Sequence, residues 1–315
     1  EILTSLDIEG KGTNVFMTVY KFSRPHTIRG TILAFFSGMG RVFLDNPDAL
    51  ANVGLTNVKL WIMAVLGLVA LLAGNAFIVG INQIYDVRID KINKPFLPIA
   101  SGELDIAGAW IIVLGCMVTG LSLTFSLYSP IIFWLYCFGM MLGMMYSVPP
   151  FRFKRNPLAA GITIALVRGA LLNFGAFYAT REALQLPFEW SPAILFLLIF
   201  NTIFATVIAV AKDLPDIKGD RKYKIETFAT RLGAKKITYG VMCLLMIDYV
   251  FAIVTPLLYP DQFNVLPMVA FHLILAGLLV YRCISLDADQ QPQIVSFYGF
   301  IWLLFYSEFF VFLTI

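Results

Sequence analysis

Apolar stretches of about twenty residues recur along the chain, the length an α-helix needs to cross a hydrocarbon layer about 30 Å thick. They fall at roughly 25–43, 60–81, 107–127, 130–149, 158–180, 192–211, 237–257, 265–283 and 294–315 of the 315 residues. Lipid offers backbone groups no partners, so each stretch has to satisfy its own hydrogen bonds as a helix. The pattern predicts an all-α, polytopic membrane protein with nine transmembrane helices. Composition agrees, with 59% hydrophobic and 14% charged residues against about 25% charged in soluble domains. Ser129-Pro130 alone separates the third stretch from the fourth, and the proline argues for a tight hairpin there.

The loops fix the orientation. With nine spans, 18 Lys and Arg residues fall on one side and only Arg41, Lys59 and Arg181 on the other, leaving Arg29 and Arg168 inside spans. That asymmetry obeys the positive-inside rule. Net charge is only +3, so nucleic acid is not an expected partner, and the lipid bilayer is. Nothing in the sequence bears on oligomeric state. Cys116, Cys137, Cys243 and Cys283 lie in or beside different spans without CxxC spacing, which reads as packing and not as a disulfide or zinc framework. Residues 1–20 read as a polar, loosely ordered lead-in, followed by a single membrane domain over 21–315. No cleavable signal or Arg/Ser-rich transit pattern is legible there, so targeting cannot be read from those residues.

Two acidic clusters sit at membrane exits on the basic side. Asn82, Asp86 and Asp90 are spaced i, i+4, i+8, which places them on one helical stripe. Asp216 and Asp220 repeat the spacing and Asp213 precedes them by three, although Pro215 and Gly219 predict a bend. Carboxylates near a bilayer are costly, roughly 2.5–3.5 kcal/mol each at a helix centre. Either cluster alone could be a solvated helix end with carboxylate–lysine pairs; two facing one cavity suit Mg²⁺, whose octahedral oxygen shell takes one or two carboxylates and substrate phosphates. Two ions bridging a diphosphate are the expected cofactor.

Cations on the same side complete the pattern. Arg29, Arg152 and Lys154 could grip phosphate or serve as ordinary positive-inside anchors, the simpler role for Arg155 and Lys235. Lys212 adjoins Asp213, and Tyr146 opens the segment that carries Arg152 and Lys154. Arg168 is the intramembrane ion, expected to line a cavity and to act catalytically. Asn75 and Asn173 read as cavity polar groups or interhelical hydrogen-bond partners, Asn201 as the latter. His26, near the basic face, could orient an acidic or phenolic substrate; Asp248, His272 and Glu308, lone polar residues of the late spans, read as a structural pair or as interfacial positions and not as catalytic. A metal-bound diphosphate at the lip of an apolar cavity suits ionisation of an allylic diphosphate, with capture of the cation by an electron-rich aromatic ring. A secondary transporter for an anionic metabolite is the rival reading from another class.

Asn82-x-x-x-Asp86-x-x-x-Asp90 and Asp213-x-x-Asp216-x-x-x-Asp220 resemble the two signature motifs of the UbiA superfamily of intramembrane prenyltransferases. Within it, residues 24–30, 82–103 and 216–222 are similar to plastid homogentisate prenyltransferases, and residues 167–190 and 301–308 to their solanesyl-transferring branch. The resemblance implies nine helices around a central cavity. It assigns metal binding to Asp86, Asp90, Asp216 and Asp220, with Asn82 and Asp213 in support and Tyr146, Arg152 and Lys154 near the diphosphate. It further implies joining of solanesyl diphosphate to homogentisate with loss of CO₂, giving 2-methyl-6-solanesyl-1,4-benzoquinol for plastoquinone synthesis, in a plastid membrane such as the inner envelope. Phytyl or geranylgeranyl transfer to homogentisate is the alternative within the same chemistry.

Overall fold

The computed structural model describes residues 15–223 and 225–315. Its long helices are α1 (Pro25–Asp45), α2 (Val58–Asn93), α3 (Ile106–Leu127), α4 (Pro130–Ser147), α5 (Pro157–Ala183), α6 (Pro192–Ala211), α7 (Ala234–Leu258), α8 (Val265–Ile284) and α9 (Gln291–Val311). Among the described residues, α2 to α9 are long and apolar enough to cross a membrane. At 21 residues α1 has the length too, but His26, Arg29, Arg41 and Asp45 make it more polar. The nine expected segments therefore correspond to nine helices, with ends shifted by a few residues.

Local chemistry explains the ends. Proline occupies the first turn of α1, α4, α5, α6 and α9, where its missing N–H costs nothing. Side chains of Asn57, Asp105, Asn156 and Ser191 cap α2, α3, α5 and α6. The α3–α4 hairpin turns at Tyr128-Ser129, as the proline predicted. The largest departure in length is α2. Its 36 residues rise about 54 Å, well beyond the hydrocarbon thickness, so its last turns carry the first acidic stripe clear of the lipid.

The second stripe does bend. After α6 the chain passes through turns at 212–216 and resumes as a short helix, Ile217–Lys222. Part of the expected N-terminal lead-in is ordered: Val15–Phe22 is a helix, and residues 1–14 lie outside the described residues. That helix is anchored by Phe22, fully buried, and by Thr18 and Lys21, which donate to Glu103 at 2.5 and 3.0 Å.

Two apolar cores flank the centre. The larger joins α6, α7, α8 and α9 through residues such as Phe200, Phe204, Leu245, Met268 and Phe305; the smaller joins α2, α3 and α4 around Phe77, Val113 and Met140. The expected structural pair in the late spans is present: His272 Nε2 lies 3.2 Å from Glu308 Oε2, both fully buried. His272 Nδ1 is 2.7 Å from the Met268 carbonyl, and Phe196, Phe200 and Tyr249 ring the imidazole. The four cysteines are free.

Candidate functional site

Between the two cores lies a cavity of about 1080 Å³. Its lining comes from α1 to α6 and α9, while α7 and α8 contribute no side chain to it and instead back α6 and α9. Asp86, Asp90, Asp213, Asp216 and Asp220 all line it, so the two acidic stripes face one chamber. The link between them is direct. Asn93, one turn beyond Asp90, donates to Asp220 at 3.3 Å and accepts the Gly219 N–H at 2.9 Å, and Lys94 pairs with Asp216.

The charges do not balance. Lys154 meets Asp86 at 2.5 Å, Lys212 meets Asp213 at 2.6 Å and Lys94 meets Asp216, but among the described residues Asp90 and Asp220 have no ion pair. Asp90 Oδ2 is buried without a hydrogen-bond partner. Burial first, then Asp216 and Asp213, push the Asp220 carboxyl up to about 7. These two carboxylates, which no lysine or arginine neutralises among the described residues, fit a divalent cation. Among the described residues no three His, Cys, Asp or Glu side chains are grouped closely enough to hold a metal unaided. That suits Mg²⁺, which completes its shell with substrate oxygens and water.

Around the carboxylates, Asn82 is held between Arg24, which donates to its Oδ1 at 2.8 Å, and Asp86, to which it donates at 2.7 Å. Arg24 adopts φ +55° and Arg152 φ +46°, a left-handed backbone that L residues adopt at a cost. Tyr146 lines the cavity with the Lys212 ammonium 6.0 Å over its ring. Asn75 lines it while donating to the Ser23 carbonyl at 3.1 Å. His26 lines it with its ring edge-on to Trp302 at 5.0 Å. Arg168 lines it from the middle of a π-helical turn, Ala165–Leu171, within α5. Such turns often mark functional positions.

A sequence profile of the UbiA prenyltransferase family matches residues 49–304. The chain belongs to the UbiA prenyltransferase family. It is similar to a protein of Oryza sativa subsp. japonica named probable homogentisate phytyltransferase 2, chloroplastic: 48% identical over 295 residues, 93% of this chain and 76% of the relative. It is 46% identical to the homogentisate solanesyltransferase, chloroplastic, of Arabidopsis thaliana, again over 295 residues, 93% of this chain and 75% of that one. In fold it matches a UbiA homolog from Archaeoglobus fulgidus solved with GPP and Mg²⁺, with TM-score 0.61 at 19% identity, covering 95% of this chain and 100% of that one.

Three of the residues expected at the site of this UbiA family member stand apart from the cavity lining. Arg29 is exposed, on a face of α1 turned away from the chamber. Arg152 reaches Asp86 at 3.9 Å and the Tyr85 carbonyl at 3.4 Å, supporting the first stripe from outside. Asn173 donates to the Arg168 and Gly169 carbonyls at 3.1 and 2.8 Å, satisfying backbone groups of the π-helical turn. Sequence reasoning missed Lys94, Asn93, Tyr298 and Trp302 as cavity residues. The signal for Lys94 was present, because it continues the Asn82, Asp86, Asp90 stripe by four more residues. Nothing local marks Trp302, which arrives from a distant helix.

Proposed function

We propose that this UbiA family enzyme transfers a long polyprenyl group, solanesyl, from its diphosphate to homogentisate with loss of CO₂, in a plastid membrane such as the inner envelope. The names of the two plant relatives support homogentisate as acceptor and the plastid as location. The observation that carries the donor assignment is the depth of the cavity. Its lining on α2 runs from Asn93 at the rim to Gly67, and Tyr128 and Ala179 line its far end. Below Asp86, where the diphosphate would sit, that stretch of α2 runs about 28 Å down to Gly67, so a short isoprenoid would leave the lower part unfilled. A phytyl or geranylgeranyl donor is the alternative.

In this reading Asp86, Asp90, Asp213, Asp216 and Asp220 would hold Mg²⁺ with the diphosphate. The metal when bound supplies a Lewis acid for the leaving diphosphate. Lys94, Lys154, Lys212 and Arg24 add positive charge where the leaving group gains negative charge. As the C1–O bond of the prenyl group breaks, a ring carbon of homogentisate bonds to C1 and diphosphate departs. The ring loses one proton, the CH₂–CO₂⁻ bond cleaves, and its electron pair takes a proton to become the methyl group. Apolar walls from Ile164, Val167, Leu135 and Met140 keep water from the cation.

The test is the purified protein in lipid nanodiscs with Mg²⁺, homogentisate and C45, C20 or C15 diphosphates, with product and CO₂ measured. We expect C45 to have the highest kcat/KM and chelation of Mg²⁺ to abolish turnover. A C20 preference would move the assignment to phytyl or geranylgeranyl transfer, and no product from any donor would sink it.

A further inference from the structure

The rim cations each have a polar partner, Arg24 through the Asn82 side chain, whereas among the described residues the cation deeper in the cavity has none. Lys94, Lys154 and Lys212 each have an aspartate partner, whereas among the described residues Arg168 has no ion pair. Its Nη1 is fully buried and lacks a hydrogen-bond partner. The guanidinium lies over the Trp302 ring, 5.3 Å from the centroid, and Nη1 would come within 3.1 Å of a Cβ at Gly30. A half-buried guanidinium with a buried, unpaired N–H and no anion is costly, and stacking on indole offsets only part of that cost.

A second donor sits at the same corner. Trp302 is 6% exposed, and its Nε1–H, which faces Tyr298, makes no hydrogen bond of normal geometry. An unpaired guanidinium N–H and an indole N–H held only loosely by Tyr298, beside the aromatic rings of His26, Tyr298 and Trp302, describe a receptor for a flat ring bearing an anionic group. The depth suits the acceptor better than the diphosphate. Gly30 is five residues below Pro25 on α1, about 7.5 Å further from the rim, and the carboxylates and lysines that would hold the diphosphate lie at the rim. The opposite wall, from α4 and the distal part of α5, is apolar and continues downward, the side left for the prenyl tail.

We infer that Arg168 and Trp302 bind the carboxylate of the aromatic acceptor, holding its ring below the diphosphate against His26 and Tyr298. This deepens the homogentisate reading and rests on it for the identity of the acid. Arg168 is thereby a substrate-positioning residue that selects aryl carboxylates over neutral phenols. The Gly30 contact belongs to the same device, because a side chain there would displace the guanidinium.

The experiment compares wild type with Arg168→Gln, Arg168→Lys and Trp302→Phe in nanodiscs, measuring KM separately for homogentisate, methylhydroquinone and the prenyl diphosphate. Methylhydroquinone keeps the ring and both hydroxyls but lacks the carboxylate. In Arg168→Gln the ratio of homogentisate to methylhydroquinone KM should rise roughly 10- to 100-fold, as expected on losing a charge-assisted hydrogen bond, while the prenyl diphosphate KM moves less than about twofold. Arg168→Lys should recover part of the ratio and Trp302→Phe should raise it a few-fold. An unchanged ratio overturns the inference. So does a parallel rise in prenyl diphosphate KM, which would place Arg168 on the diphosphate. If the wild type rejects homogentisate, the proposed function fails separately, and direct binding of phenylacetate and 4-hydroxybenzoate decides the anchor. Binding weakened in Arg168→Gln supports it; no binding to the wild type, or equal binding to both, overturns it.

Discussion

At the scale of single residues, the site is organised by which carboxylates are neutralised and which are not. Asp86, Asp213 and Asp216 have lysine partners, but Asp90 and Asp220 do not. Asp220→Asn should therefore separate activity from stability. Turnover should fall about 10²-fold or more if Asp220 is the anionic Mg²⁺ ligand proposed above, because that ligand and its electrostatic support are lost. The melting temperature of the metal-free protein should hold or rise, because a buried charge crowded by Asp216 and Asp213 has been removed. Parallel kinetics and thermal melts check both halves, and a mutant that is active as wild type removes Asp220 from the metal site. The aspartates were legible in the sequence because i, i+4 spacing survives any detail of packing. Arg29 was misplaced for the opposite reason: whether a cation one turn along α1 faces a cavity depends on helix rotation, which spacing does not report.

At the scale of the helix, one contact ties the chamber wall to the backing helices and another closes the wall itself between α5 and α6. Glu308 on α9 and His272 on α8 form a fully buried polar pair, and removing one partner leaves the other buried without it, at a cost of about 1–3 kcal/mol. Glu308→Ala should lower the melting temperature sharply while leaving KM for both substrates close to wild type, because neither residue lines the cavity. A melt indistinguishable from wild type would show that the pair contributes nothing. The second contact is the approach of α5 to α6 at Gly169, where a Cβ would lie 2.5 Å from Thr202 Cα and 2.7 Å from the Asn201 carbonyl oxygen. Small residues permit such close backbone contact in lipid. Gly169→Val must push the helices apart, costing about 1–3 kcal/mol or more, and it moves the neighbouring Arg168. Its signature should be a lowered melting temperature together with a raised homogentisate KM; a native melt would argue that the helices part freely. The helices themselves were readable from hydropathy, and the α3–α4 hairpin from a single proline. The π-helical turn at Arg168 was not, since neither its backbone hydrogen bonds nor the Asn173 side-chain amide that donates to the Arg168 carbonyl leaves a periodic mark in the sequence.

At the scale of the whole molecule, seven helices enclose the chamber and α7 and α8 stand behind it, so the fold is an unequal bundle with the reactive lip at one face. The sequence could say which face, through its basic loops, but not how deep the chamber goes. Depth depends on small residues meeting large ones across helices: the Tyr136 hydroxyl donates to the Ala70 carbonyl at 2.9 Å and the Tyr128 hydroxyl to the Met63 carbonyl at 2.6 Å, each ring seated against glycines of α2 and, for Tyr136, also of α3. Those seats leave open the lower part of the cavity, where Ala179 forms part of the lining. Ala179→Phe adds a ring at the far end without touching the rim. If the prenyl tail runs to that depth, C45 loses at least about tenfold in kcat/KM, because an overfilled apolar site forces strain of about 1–3 kcal/mol. A C10 donor, ending well above Ala179, keeps its rate. The ratio of the two rates is independent of how much protein folds, so it reads tunnel length alone. Equal losses for both donors, or none for either, would mean that the chain leaves the cavity sideways into lipid before it reaches α5's last turns, and the depth argument for a long donor would fall with it.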